Sequence, residues 1–204
     1  MRIAFYGDSL TEGWPGAGFM PLLERRLPRH ALLNRGRAGD TTVDLLARLR
    51  RHGVEHADLA VVWIGTNDAF ASAAGDWLPE DGDWLLAGEP PPDWSVVAMA
   101  VARTLELVLE LVGPSAPRLL VLPPVAPDGD LGEPFAARLN DLAQIVEAAA
   151  GDRPQARFVD LRPAFAAAAG PFTIDGVHLN GAGAAVVVEA LAAAIATEAD
   201  GGPS

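Results

Sequence analysis

The sequence predicts an α/β fold in which a single domain holds a five-stranded parallel sheet with helices on both faces. Short apolar segments bounded by turn residues alternate with longer segments of helical character along the chain. The length of 204 residues is that of one domain. Half of the residues are hydrophobic, which is enough to fill a sizeable core. We expect one domain over residues 1–199 and a flexible tail over residues 200–204.

The predicted strands and helices follow one another in strict alternation. Five apolar segments are predicted as buried strands, at residues 3–6, 31–34, 59–64, 119–122 and 157–160. Five longer segments are predicted as helices, at residues 19–27, 41–52, 96–112, 135–150 and 181–196. Because helical crossovers between parallel strands are right-handed, this alternation predicts helices on both faces of the sheet.

Capping residues mark the ends of several predicted helices. Thr41 with Asp44 three residues later approximates a capping box, and Gly53 follows the last turn of the same helix. Pro134 suits the first position of a helix, and Asn180 suits an N-cap. These residues support the helix boundaries that the apolar pattern predicts.

One segment, residues 70–94, interrupts the alternation. It is rich in Gly, Pro and Asp and carries three tryptophans, Trp77, Trp84 and Trp94. A long loop in a compact domain is usually functional or disordered, and the tryptophans argue against disorder. The indoles either pin the loop onto the domain or form a lid or wall for a substrate. We expect a lid-like insertion and leave both interpretations open.

The charge and composition argue against several classes of function. Arg and Lys number 15 against 27 acidic residues, a net charge of −12, so phosphate backbones and anionic membranes would repel the chain. There is no cysteine, and hence no disulfide or thiolate site. Charged residues such as Glu110 and Glu189 interrupt the apolar stretches, so no segment is expected to cross a bilayer. An apolar strand directly after Met1 predicts a cytoplasmic protein.

Residues that could carry chemistry lie on the loops that follow the predicted strands. Ser9, Gly39 and Asn67 follow the first three strands, and Asp175 and His178 precede the last helix. The carboxyl ends of parallel strands meet at one edge of the sheet, where ligands bind in such folds. Taken singly, each residue could be an ordinary turn or cap residue. Taken together, they supply the groups that acyl transfer needs.

Each of these groups has a part in ester cleavage. A serine hydroxyl is a weak nucleophile and requires a base, for which His178 is the candidate. Asp175 is close enough in sequence to orient the imidazole. The backbone amides of Ser9 and Gly39 and the side-chain amide of Asn67 could bind the oxyanion. This chemistry needs no metal and no cofactor.

The run Gly7-Asp8-Ser9-Leu10 resembles the signature of the GDSL esterases and lipases, and the wider set is similar to the SGNH hydrolase superfamily. The resemblance spans residues 7–178 and maps the family's four invariant positions onto Ser9, Gly39, Asn67 and His178. It implies Ser9 as nucleophile, His178 as base, and Gly39 and Asn67 as oxyanion donors. Asp175 fits the family's Asp-x-x-His block. The resemblance also implies a flavodoxin-like three-layer sandwich with strand order 2-1-3-4-5.

The neighbours of these residues carry two further expectations. Thr11 stands where a Gly-x-Ser-x-Gly motif has its second glycine, so no sharp nucleophile elbow is expected at Ser9. Asp8, Asp40 and Asp68 lie beside the key positions and are expected to brace their loops rather than to react.

The sequence therefore predicts a serine hydrolase that cleaves carboxylic esters or thioesters through an acyl-serine intermediate. The expected partner is a small-molecule ester, thioester or acetylated sugar, with no nucleic acid and no membrane. A carbohydrate O-deacetylase on the same scaffold is the enzymatic alternative, with tryptophans of the insertion stacked on sugar faces. A catalytically silent binding module is the alternative from a different class.

Overall fold

The computed structural model describes residues 1–71, 93–128, 131–132 and 134–200. Residues 72–92 of the predicted lid, with Trp77 and Trp84, lie outside the described residues, as do residues 201–204 of the predicted tail.

Five strands form one parallel sheet in the order β2-β1-β3-β4-β5. The strands are β1 (Arg2–Gly7), β2 (Ala31–Gly36), β3 (Leu59–Trp63), β4 (Leu119–Leu122) and β5 (Ala156–Phe158). All five predicted strands are present, and the strand order implied by the family resemblance is confirmed.

Eight α-helices are found within the described residues. They are α1 (Ser9–Glu12), α2 (Met20–Arg26), α3 (Thr42–His52), α4 (Thr66–Ala71), α5 (Trp94–Val112), α6 (Phe135–Gly151), α7 (Arg162–Ala167) and α8 (Gly181–Asp200). The five predicted helices correspond to α2, α3, α5, α6 and α8 with shifted ends. Helices α1, α4 and α7 were not predicted, because four to six residues are too few to show a helical period.

The predicted caps of α3 and α8 are formed. Thr41 and Asp44 make the reciprocal hydrogen bonds of a capping box, and Gly53 ends α3. The Asn180 side chain accepts hydrogen bonds from the backbone N–H groups of the second and third residues of α8. Pro134 lies one position earlier than predicted, at the N-cap of α6.

Alternate residues of each central strand face two separate apolar cores. On β1, Ile3 and Phe5 point into the core beneath α2 and α8, whereas Ala4 and Tyr6 point into the core beneath α3, α5 and α6. Because both faces are covered, every residue of β3 and β4 is buried. This two-sided burial is why these strands are continuous apolar runs in the sequence.

Helix α8 corrects the expectation that charged residues such as Glu189 leave no segment apolar enough to cross a bilayer. Residues Gly181–Ala199 are long and apolar enough, by length and composition, to cross a membrane. In the fold, Val187, Leu191 and Ile195 lie one turn apart on α8, are fully buried and pack in the core beneath the sheet. The core helix of a globular domain meets the same criterion of length and composition.

The register of the sheet places the ends of three strands side by side. Gly7 at the end of β1 pairs with Gly36 of β2 and with Trp63 of β3. The strand order reverses beside β1, which is where ligands bind in open parallel sheets. Ser9 begins α1 after the first of these ends, Gly39 lies on the loop after β2, and Asn67 is the second residue of α4 after β3. Two of the three residues predicted on loops therefore lie in short helices.

Candidate active site

A continuous hydrogen-bonded path joins three of the predicted residues. His178 Nε2 lies 3.1 Å from Ser9 Oγ, and His178 Nδ1 lies 2.6 Å from Asp175 Oδ2. An ionised carboxylate can only accept a hydrogen bond, so Nδ1 carries the ring proton in this arrangement. Nε2 is then free to accept from the Ser9 hydroxyl. The structure thus brings a nucleophile, a base and an orienting carboxylate into line.

The loop of Asp175 is organised around its own side chain. Asp175 Oδ1 accepts from the backbone N–H of Val177 at 3.0 Å and from that of His178 at 2.7 Å. Partial burial alone would raise the pKa of Asp175, but the hydrogen bonds from the His178 backbone and ring outweigh it and lower the pKa below its ordinary value. Asp175 is therefore a carboxylate at neutral pH.

Ser9 is the first residue of α1, separated from the end of β1 by Asp8 alone. Gly7 is required before it, because a Cβ at that position would collide with the Trp63 carbonyl oxygen and with the Thr11 hydroxyl. No non-glycine residue in the described part of the chain has a positive φ, so Ser9 does not sit on a strained elbow. This unstrained backbone agrees with the expectation that Thr11, in place of the second glycine of a Gly-x-Ser-x-Gly motif, leaves no sharp nucleophile elbow at Ser9.

Asp8 is a buried carboxyl group next to the nucleophile. Its side chain caps α1 by accepting from the backbone N–H of Leu10 at 3.0 Å. Burial raises the pKa of Asp8 to about 7 in spite of that hydrogen bond, and the nearby Asp68 acts in the same direction. Asp8 braces the helix that begins at Ser9.

Three hydrogen-bond donors lie around the same cleft as Ser9. The backbone N–H of Gly39 has no partner within the described residues, and its φ of 82° lies in the left-handed region that favours glycine. Asn67 Nδ2 donates to the backbone carbonyl of Asp40 at 2.8 Å, which leaves the second N–H of this amide available. The Ser9 N–H is at the first position of α1, where no intrahelical acceptor exists.

Two side chains brace the loop that carries Gly39. The Asp40 carboxylate accepts from Arg48 Nε at 2.8 Å and from Nη2 at 2.6 Å. Burial raises the pKa of Asp40, while the Arg48 guanidinium opposes this shift. Glu12 Oε2 accepts from the backbone N–H of Ala38 at 2.6 Å and ties the loop to α1.

Asp68 joins α4, the short helix after β3, to the start of α3. Its carboxylate accepts from the backbone N–H of Thr42 at 3.0 Å and from the Thr42 hydroxyl at 2.7 Å. Burial raises the pKa of Asp68, and the hydrogen bonds from Thr42 oppose the shift. Asp40 therefore braces its loop as expected, whereas Asp8 and Asp68 brace the short helices α1 and α4.

The reactive groups open onto a cleft of about 490 Å³, a volume within the range of small-molecule sites. All five predicted site residues line it, namely Ser9, Gly39, Asn67, Asp175 and His178. Its apolar walls are Trp14, Pro15, Phe70, Leu131 and Val177. Among the residues that the structure describes, no three His, Asp or Glu side chains are grouped as a metal site would require.

The sequence matches one protein family over most of its length. Residues 5–186 match the model of the GDSL-like lipase/acylhydrolase family. The chain belongs to this family. This GDSL-like hydrolase is an ester-hydrolysing enzyme, as its motifs predict.

Relatives of the GDSL-like hydrolase include curated proteins and solved structures. Platelet-activating factor acetylhydrolase IB subunit alpha1 from Rattus norvegicus is 29% identical over 202 residues, which cover 93% of this chain and 73% of the relative. An acetylxylan esterase from Geobacillus stearothermophilus has a TM-score of 0.70 at 20% identity, covering 93% of this chain and 91% of that chain. The acetyl xylan esterase AlAXEase has a TM-score of 0.73 at 21% identity, covering 96% of this chain and 100% of that chain. The two structures share the fold of this GDSL-like hydrolase.

Several residues of the GDSL-like hydrolase site were not predicted from the sequence, among them Arg48, Glu12 and Trp14. Arg48 and Glu12 brace the loop that carries Gly39. Their contacts depend on how α3 and α1 pack, so no local sequence pattern predicts these contacts. Trp14 lines the cleft and could have been noticed, since it lies five positions after Ser9 in a run of glycine and proline. Its exposure in the cleft is a property of the fold.

Proposed function

We propose that this enzyme cleaves small carboxylic esters through an acyl intermediate on Ser9. The observation that carries the proposal is the hydrogen-bonded path from Asp175 through His178 to Ser9 at the cleft. Ser9 Oγ attacks the carbonyl carbon while His178 Nε2 takes the hydroxyl proton. The bond from carbon to the alcohol oxygen then breaks, and the alcohol leaves with that proton.

Deacylation repeats these steps with water. His178 takes a proton from water, the hydroxide attacks the acyl carbon, and Ser9 leaves with the proton as the acid is released. The ionised Asp175 stabilises the imidazolium that forms in both halves of the reaction. The N–H groups of Ser9, Gly39 and Asn67 stabilise the oxyanion, because they are held in place before the charge develops.

The acyl group in this proposal is short, with acetyl as the first choice. The curated relative is by name an acetylhydrolase, and the two solved structures are by title acetylxylan esterases. Acetyl is thus the acyl group common to these names. A thioester would be cleaved by the same steps with a thiol as leaving group.

A carbohydrate O-deacetylase is the second candidate function. The two acetylxylan esterases of the same fold favour it. A silent binding module is less well supported, because all five predicted positions carry chemically competent residues. Cytoplasmic location stays a prediction from the apolar strand directly after Met1, and the exclusion of nucleic acid and membrane partners stays a prediction from charge and composition.

Hydrolysis of p-nitrophenyl esters from acetyl to dodecanoyl tests the main proposal, with wild type and Ser9→Ala compared at neutral pH. We expect wild-type turnover that favours acetate, no turnover by Ser9→Ala, and an acyl adduct on Ser9 by mass spectrometry. Ser95→Ala, at an exposed serine near the start of α5, is the matched control and should behave as wild type. Full activity of Ser9→Ala would refute the mechanism. Parallel assays on acetylated xylooligosaccharides test the deacetylase candidate.

A further inference from the structure

We propose that Trp14 forms the subsite for the alcohol portion of the ester, and that this subsite favours alcohols with a flat apolar face. Such a face is provided by an aromatic ring or by the C–H face of a pyranose. The inference rests on the proposed acyl-Ser9 mechanism and extends it to the leaving group.

The exposure of Trp14 is the first observation. Its side chain is 69% exposed, although it lines the cleft that holds Ser9 and His178. The other described tryptophans are engaged elsewhere, since Trp63 is buried in the core and Trp94 Nε1 donates to Asp141 at 2.7 Å. An exposed indole in a reactive cleft is a large apolar surface that a ligand can cover.

The position of Trp14 is set by backbone contacts on both sides. Its own N–H donates to the carbonyl of Ser9 at 3.2 Å. Three residues later, the N–H of Ala17 donates to the carbonyl of Leu179 at 2.7 Å. The segment therefore bridges the helix of the nucleophile and the loop of the base, and the backbone that carries the indole is anchored on both sides.

Reaction chemistry assigns the Trp14 side of the cleft to the alcohol. In the tetrahedral intermediate, the oxyanion points to the donors of Gly39 and Asn67. The alcohol oxygen must point to His178 Nε2, because it leaves with the proton that Nε2 carries. Gly16 packs against the base, as a Cβ there would lie 3.5 Å from His178 Cβ. The segment with Trp14 is therefore on the leaving-group side, and the acyl chain extends elsewhere.

The chemistry of the indole defines the alcohols that it favours. A flat ring or a pyranose face covers the indole face more fully than a flexible alkyl chain does. Stacking of this kind corresponds to roughly three- to tenfold in kcat/KM. Trp14 is therefore a specificity-determining residue rather than one that takes part in bond making.

The test keeps the acetyl group constant and varies the alcohol. Values of kcat/KM for 2-naphthyl acetate, tetra-O-acetyl xylopyranose and butyl acetate are measured for wild type, Trp14→Ala and Trp14→Phe. We expect Trp14→Ala to lose roughly three- to tenfold more on a flat alcohol than on butyl acetate, and Trp14→Phe to retain most of the preference. All three esters form the same acetyl-enzyme, so the differences report only on acylation. A selective loss on the naphthyl ester identifies an aryl subsite, and one on the xylose ester a sugar subsite.

Two controls make the outcomes distinct. Met99→Ala removes another apolar side chain, which is 66% exposed on α5 and does not line the cleft. This variant should leave the ratios of kcat/KM between the three acetate esters unchanged. Equal losses on all alcohols in Trp14→Ala would overturn this inference. The inference would also be overturned if the loss of kcat/KM in Trp14→Ala depended on the length of the acyl chain, measured with 2-naphthyl acetate and 2-naphthyl hexanoate. Failure of the wild type on every ester would instead overturn the proposed function.

Discussion

The side-chain amide of Asn67 donates to the backbone carbonyl of Asp40, with 2.8 Å between nitrogen and oxygen. This hydrogen bond joins α4, the short helix after β3, to the loop after β2, next to Gly39. It uses one N–H of Asn67 and holds the amide plane in one orientation. A donor that is already oriented stabilises a developing oxyanion without the cost of reorganisation.

Asn67→Ala should lower kcat by about a hundred- to a thousandfold with little change in KM, the usual effect of removing one oxyanion donor. Steady-state kinetics on p-nitrophenyl acetate measures both constants. Asn140→Ala, at an exposed asparagine of α6, is the matched control and should retain wild-type turnover. Near wild-type turnover of Asn67→Ala would exclude Asn67 from the oxyanion site.

Ser9→Ala and His178→Ala should each abolish covalent turnover, and Asp175→Ala should be less damaging because Asp175 orients the ring without reacting. The lowered pKa of Asp175 means that its charge is present at neutral pH and is lost only as the pH falls through that lowered value. Rates of the three variants on p-nitrophenyl acetate across pH provide the comparison. If Asp175→Ala were the most impaired of the three, the assigned roles would be wrong.

Arg48→Ala should destabilise the protein by about 3 kcal/mol, because it removes the close ion-pair partner of the buried Asp40 carboxylate and leaves only the weaker contact with Arg37 at 3.9 Å among the described residues. Urea unfolding measures the loss. The double variant Arg48→Met with Asp40→Asn removes both charges, and its free energy of unfolding should fall less than that of Arg48→Ala alone. Arg103→Ala breaks an exposed ion pair and should change stability very little. Equal stability of Arg48→Ala and wild type would show that the ion pair between Arg48 and Asp40 does not stabilise the fold.

Asp8→Asn should become progressively more stable than wild type as the pH rises. The pKa of Asp8 is raised from 3.8 to about 7 by burial, so the folded protein holds this proton more tightly than the unfolded chain. The stability from this group is fully present below about pH 4 and is lost as the pH rises through about 7. Asparagine stays neutral throughout and avoids that loss.

Urea unfolding of Asp8→Asn and wild type at several pH values between about 4 and 8 measures this difference. Asp93→Asn is an informative control, because hydrogen bonds from Ser95 lower the pKa of Asp93 below 3.8, so its difference from wild type should change little above about pH 4. A difference between Asp8→Asn and wild type that does not vary with pH would contradict the titration of a buried Asp8.

Local patterns predicted most of the secondary structure for a physical reason. The strands β3 and β4 are buried on both faces and are therefore continuous apolar runs. Capping residues such as Thr41 and Gly53 marked the ends of α3. The short helices α1, α4 and α7 were missed, because they end before a helical period becomes visible. The strand order came from the family resemblance, since alternation alone does not determine the order of parallel strands.

The sequence by itself determined which chemical groups are present, which strands they follow, and to which family the motifs point. Only the tertiary structure decided that Ser9 and His178, separated by 169 positions, lie 3.1 Å apart. It also decided that Arg48 holds the loop of Gly39 and that the Trp14 indole is left exposed in the cleft. These relationships depend on strand register and on the packing of loops distant in sequence, which the periodicity and capping of single segments do not encode.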